Sequence, residues 1–105
     1  MTPRWICVAA LIVSGLLSVS AHAETIQITI DKLAFAPTEI TAKVGDTIEW
    51  VNKDILAHTA TATNKDWDVM IGPKQTSRLV LKKAGSVDYF CKFHPNMKGR
   101  VTVAP

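Results

Sequence analysis

From Glu24 onwards, apolar and polar positions follow the two-residue period of a strand with one buried side. Thr25-Ile26-Gln27-Ile28-Thr29-Ile30 alternates strictly and places Ile26, Ile28 and Ile30 on one face. Leu33, Phe35, Ile40 and Val44 continue at irregular spacing around Pro37, and Gly45-Asp46 marks a turn. Residues 47–52 predict a second strand, with Ile48, Trp50 and Asn52 on one side, and Lys53-Asp54 ends it. His58 opens a further run of strand type, Thr59-Ala60-Thr61-Ala62-Thr63. In the polar loop 64–68, Trp67 reads as a packing residue, and Met70, within Val69-Met70-Ile71, reads as core filler. Gly72-Pro73 marks a turn, 76–82 a strand, Lys83-Ala84-Gly85 a turn, 86–91 a strand and 99–103 a closing strand. No segment sustains a helical period for three turns. The pattern therefore predicts an all-β fold, a sandwich or barrel of short strands.

The first 23 residues break this pattern. Arg4 precedes an apolar run from Trp5 to Leu17, and Ala21-His22-Ala23 supplies small residues around a cut, so residues 1–23 read as a secretory signal peptide. The run falls short of the ~20 apolar residues that a membrane span needs. Removing 23 of the 105 residues leaves 82, enough for one small domain over 24–105. Arg4 leaves with the leader, so the 12 basic residues fall to 11 against 9 acidic, a net charge of +2 that is too slight to imply nucleic acid. Cys7 also lies in the leader, and Cys91 is then the one thiol of the mature chain. It can form no internal disulfide, and a lone thiol in an oxidising compartment calls for something to occupy it.

The stretch Tyr89-Phe90-Cys91-Lys92-Phe93-His94-Pro95-Asn96-Met97-Lys98-Gly99 offers that occupant. A thiolate, an imidazole and a thioether three residues apart can be brought to one point by a coiled loop. The set is soft to borderline and carries no carboxylate, which favours copper over hard cations. A fourth donor must come from elsewhere, and His58 is the only mature histidine besides His94. Two histidines and a cysteine in a trigonal set, with a weaker methionine sulfur on the axis, make the arrangement of blue-copper electron-transfer sites. His58, Cys91, His94 and Met97 are thus the candidate ligands of one copper ion.

Phe35-x-Pro37-x-x-Ile40-x-x-x-Val44-Gly45-Asp46-Thr47-Ile48-x-Trp50-x-Asn52, then His58, then Tyr89-Phe90-Cys91-x-x-His94-Pro95-x-Met97-x-Gly99, resembles the cupredoxins of the plastocyanin and pseudoazurin group. The short ligand loop, with two residues between successive ligands, is most similar to that of the amicyanins. The resemblance implies a Greek-key β-sandwich, a type 1 copper held by these four residues, and one-electron carriage between periplasmic redox proteins. Family members often carry proline before the first histidine and asparagine after it; Ala57 and Thr59 stand there in this chain. That asparagine commonly fastens the two ligand-bearing loops together, and the Thr59 hydroxyl is the group that could replace it. Phe93 stands where amicyanin-like loops tend to carry proline.

The resemblance also implies a ring edge of His94 near the surface, with Phe93 and Pro95 as an apolar docking patch. Lys92, Lys98 and Arg100 flank it in sequence, either steering an acidic partner or forming an ordinary solvated face. The expected role is a soluble, monomeric carrier rather than an enzyme, since copper oxidases need more than two histidines. An amine dehydrogenase or another donor, and a c-type cytochrome or reductase as acceptor, are the implied partners. The alternative is a periplasmic copper chaperone or buffer, against which the scarcity of spare Met and His speaks. A third reading is a metal-free interaction module in which the donors fall together by chance.

Overall fold

The computed structural model describes residues 22–105. The leader expected over 1–23 lies outside the described residues, save for His22 and Ala23. Nine strands follow one another: β1 (Thr25–Asp31), β2 (Ala34–Ala36), β3 (Glu39–Lys43), β4 (Thr47–Asn52), β5 (His58–Ala62), β6 (Asp68–Ile71), β7 (Thr76–Val80), β8 (Gly85–Phe90) and β9 (Lys98–Ala104). They form two sheets, ordered β2-β1-β4-β7 and β3-β9-β8-β5-β6. The chain passes from one sheet to the other at β2–β3, β3–β4, β4–β5, β6–β7 and β7–β8, as a Greek-key-type sandwich does. The two parallel pairs, β1 with β4 and β3 with β9, follow from these crossings.

The alternating positions meet in the middle. Ile28, Ile30, Ile48 and Trp50 of the first sheet face Ala42, Ala60, Ile71, Tyr89, Val101 and Val103 of the second, all of them buried. Phe35, Trp50, Trp67 and Tyr89 form an aromatic cluster with ring centroids 4.8–5.8 Å apart. Edge-to-face pairs of this kind contribute beyond the area they bury. Trp67 packs as expected. Met70 does not: it is 56% exposed. β6 is a sheet edge, and its alternation turns Val69 and Ile71 inwards and Met70 out, so an apolar run of three misread one member of a strand for filler.

Short ties close the far end from His58. The Asp46 carboxylate is buried and accepts the backbone N–H groups of Glu24 and Lys43, both at 2.9 Å. These two amides, Glu24 first, hold its acidity below the ordinary aspartate value. Gly45, at φ 98°, takes the left-handed turn that precedes it.

Gly99 has a different reason to be glycine. It pairs with Tyr89 across β8 and β9, and the Tyr89 ring lies over its Cα, so an added Cβ would collide with the ring. Tyr89 is fixed between Trp50, Phe35 and Trp67 and cannot withdraw. Gly99→Ala is therefore expected to destabilise the fold by about 1–3 kcal/mol, the usual cost of overpacking. A urea titration checks this: the midpoint should fall with an unchanged slope.

Candidate metal centre

At the other end of the sandwich, β5 and β8 separate. Their ladder consists of Thr61 opposite Phe90 and Ala62 opposite Tyr89, and it stops there. His58 and Thr59 on one side, and Cys91 just beyond β8 on the other, are left to face each other without backbone pairing. The segment from Cys91 to Met97 then winds into two turns: His94 N–H donates to Cys91 C=O (3.3 Å), Met97 N–H to His94 C=O (2.8 Å), and Cys91 N–H closes back on Met97 C=O (3.1 Å). The three-residue spacing of the donors is the spacing of these turns. It folds Cys91, His94 and Met97 into one compact loop.

The donor atoms converge. Nδ1 of His58 and Nδ1 of His94 each lie 3.7 Å from Cys91 Sγ, and the three ligand atoms are all within 4.8 Å of one another. A nitrogen at ~2.0 Å and a sulfur at ~2.3 Å from one ion, 120° apart, would be separated by about 3.7 Å. Both N···S separations thus suit a single ion that would be held by the two imidazoles and the thiolate, and a soft thiolate with two imidazoles suits copper. Cys91 and His58 are fully buried, Met97 is buried, and His94 is half-buried, so of the three convergent donors only His94 reaches the surface.

Two of the candidate ligands, His58 and Cys91, are held from behind. Nε2 of His58 lies 2.9 Å from Asp54 Oδ2. A carboxylate only accepts, so this nitrogen carries the proton and Nδ1 turns its lone pair to the site. Asp54 in turn accepts the N–H groups of Lys32 and Leu33, whose positive φ values (54° and 61°) form the tight β1–β2 turn. Burial pushes the Asp54 carboxyl up, but the Leu33 and Lys32 amides and the His58 ring outweigh it and leave its pKa below the ordinary value. Asn52, also buried, organises the loop between: its Nδ2 donates to Leu56 C=O (2.8 Å) and Gly72 C=O (3.0 Å), and its Oδ1 accepts Asp54 N–H (2.9 Å). The alternation of β4 placed Asn52 on the buried face, yet its anchoring role was not legible until its loop partners were known.

Thr59 does what the sequence left to it. Its N–H donates to Cys91 Sγ (3.3 Å), and its hydroxyl accepts Lys92 N–H (2.9 Å). The loops bearing His58 and Cys91 are fastened through these two bonds.

A family model described as a cupredoxin-like domain matches residues 4–103. Amicyanin-alpha of Methylorubrum extorquens is 32% identical over 102 residues, covering 90% of this chain and 86% of that protein. The amicyanins of Paracoccus versutus and Paracoccus denitrificans are 31% and 33% identical and are covered over 66% and 64% of their length, so this chain spans about two thirds of each. A methylamine utilization protein, MauL, of Methylorubrum extorquens is 34% identical over 80% of this chain and 77% of its own. Among solved structures, the amicyanin of Paracoccus versutus superposes with a TM-score of 0.65 at 34% identity, covering 81% of this chain and 84% of that one. A reduced Cu(I) form of an amicyanin mutant superposes at 0.68 and 32% identity, covering 81% and 85%.

Removing the Asn52 carboxamide leaves buried carbonyl oxygens unpaired and frees the Asp54 loop. Asn52→Ala is expected to cost roughly 2–4 kcal/mol of stability for several lost buried bonds and to weaken copper binding on the order of 10–100-fold through a loosened His58. Chemical denaturation of the metal-free protein and competitive copper titration measure the two effects separately.

Proposed function

Because this chain belongs to the cupredoxin-like family, we propose that it is a soluble periplasmic carrier of single electrons, with one copper ion held by His58, Cys91, His94 and Met97. The observation that carries this reading is the convergence of two imidazole Nδ1 atoms on the Cys91 sulfur, each at 3.7 Å, in a loop that also buries Met97. When bound, copper supplies a one-electron couple. The protein supplies a frame in which the ligands are already tied by Asp54, Thr59 and the loop turns, so little has to move when the charge changes. Burial of Cys91 and His58 also argues against a chaperone, whose donors need to be within a partner's reach.

The half-buried His94 marks the exit. Phe93 (51% exposed), Ile55 (78%), Leu56 (48%) and Leu33 (46%) come from the ligand loop, the β4–β5 loop and the β1–β2 turn, which meet through Asp54 and His58. A patch of this kind, with Pro95 beside it, suits brief docking of a partner against the His94 edge. Two of the three cations that flank the loop in sequence are paired, and Lys98 is exposed with no ion pair among the described residues. Lys92 is tied to Asp68 and Arg100 to Asp88, both at 2.7 Å, so neither is a free cation. Lys32, Lys53 and Lys74 stand at this end as well: Lys32 is in the turn that binds Asp54, Lys53 precedes Asp54, and Lys74 donates its N–H to Asp54 C=O (3.1 Å) and its Nζ to Lys53 C=O (2.6 Å). An acidic face on the partner would be drawn to them. One relative is a methylamine utilization protein, and we take an amine dehydrogenase as the proposed donor; a c-type cytochrome is the proposed acceptor.

Copper(II) added to the domain 24–105 is expected to produce an intense blue thiolate-to-copper absorption and a narrow copper hyperfine splitting in EPR, both absent in Cys91→Ala. A pale spectrum that the substitution leaves unchanged would overturn the assignment. Electron exchange with an acidic c-type cytochrome is expected to slow about tenfold as the Debye length shrinks from ~30 Å at 0.01 M salt to ~8 Å at 0.15 M. Stopped-flow rates of the Lys53→Glu, Lys74→Glu double variant should lose most of that slope.

A further inference from the structure

On the outer face of the second sheet, next to Cys91, four hydrogen bonds form a closed ring. Lys92 N–H donates to Thr59 Oγ1 (2.9 Å), Thr59 Oγ1 lies 2.9 Å from Thr61 Oγ1, Thr61 Oγ1 donates to Asp68 Oδ1 (2.8 Å), and Lys92 Nζ returns to Asp68 Oδ2 (2.7 Å). The residues are brought together by register: Thr61 is opposite Asp68 across β5 and β6, and Thr59 is one pleat along the same face. The ring occupies the gap where the β5–β8 ladder has ended.

Proton counting gives the ring a direction. The Asp68 carboxylate can only accept, so the single hydroxyl proton of Thr61 goes to it. Thr61 then has only lone pairs to offer, so Thr59 donates its own proton to Thr61. A lone pair of Thr59 Oγ1 is therefore left facing Lys92 N–H. A carboxamide at this position would have a fixed acceptor; a hydroxyl is a free rotor and needs something to set it. Asp68 is that setting, two hydroxyls away. We propose that Asp68 is a positioning residue for the metal centre: through Thr61 and Thr59 it fixes the Cys91–Lys92 peptide, and with it the direction in which the Cys91 sulfur points. This rests on Cys91 being a copper ligand, as argued above, but the ring itself exists without the metal.

The competing view is that Asp68 merely forms one more surface ion pair, of the sort worth little. Asp88, paired with Arg100 at 2.7 Å and 55% exposed against 50% for Asp68, is the matched control. The test uses the protein 24–105 and the variants Asp68→Ala, Thr61→Val, Thr61→Ser and Asp88→Ala. Amide hydrogen exchange of Lys92 is followed in the metal-free protein; the blue absorption and reduction potential are followed after copper loading. Asp68→Ala and Thr61→Val should each speed Lys92 exchange on the order of tenfold and shift the potential in a common direction. Thr61→Ser, which keeps the hydroxyl, should restore both, and Asp88→Ala should change neither. Unchanged Lys92 exchange in Asp68→Ala and Thr61→Val, or an equal effect from Asp88→Ala, would overturn the proposal. Absence of the blue absorption from the unsubstituted protein would strike the copper reading instead, while the exchange rates would still decide whether the ring positions the loop.

Discussion

Two hydrogen bonds at Thr59 join the halves of the metal centre. One runs from its N–H to the Cys91 sulfur and the other from Lys92 N–H to its hydroxyl. The sheet cannot provide this joint, because β5 and β8 have to part for the donors to face one another, and their ladder ends at Thr61. Once backbone pairing is given up, side chains must take its place. Thr59 supplies the link across the gap, and the ligand-loop turns and the Asn52 and Asp54 brackets hold the two banks in position. The donors therefore stand ready in the protein's own bonding.

The brackets are unequal, and the inequality divides the labour of the two histidines. His58 is sealed under the β4–β5 loop and braced by Asp54, which is itself pinned by the β1–β2 turn. His94 has only its own loop and opens to the surface beside Phe93. One imidazole anchors the site to the core. The other is its window.

Much of this was legible in the chain. Strict alternation at Ile26, Ile28 and Ile30, and again at Ile48, Trp50 and Asn52, is a direct readout of sheets with one wet and one dry face, and both strands form. The spacing of Cys91, His94 and Met97 encodes its turns just as directly. The short strands β2 and β3 were not separable around Pro37, since three to five residues carry too little period to read. Met70 was misplaced because hydropathy gives no phase for an isolated run of three. The charges around His94 were legible only in part, for a more general reason. Proximity in sequence pointed to Lys92, Lys98 and Arg100, but the partners of Lys92 and Arg100, Asp68 and Asp88, lie on neighbouring strands, and further lysines at that end come from three separate turns. Pairing across a sheet is long-range information.

The outer strands of the sandwich carry a consequence for life at high concentration. A sheet edge invites another chain to add a strand, and the usual defences are brevity, proline and charge. β2 has three residues and runs into Pro37; β6 has four and ends against Gly72-Pro73; β3 is bounded by Glu39 and Lys43; β7 carries Arg78 at its centre. None of the four edges offers a long, flat, apolar template. A domain this small visits partly open states more often than a large one, and these blunted margins keep such excursions from becoming aggregates.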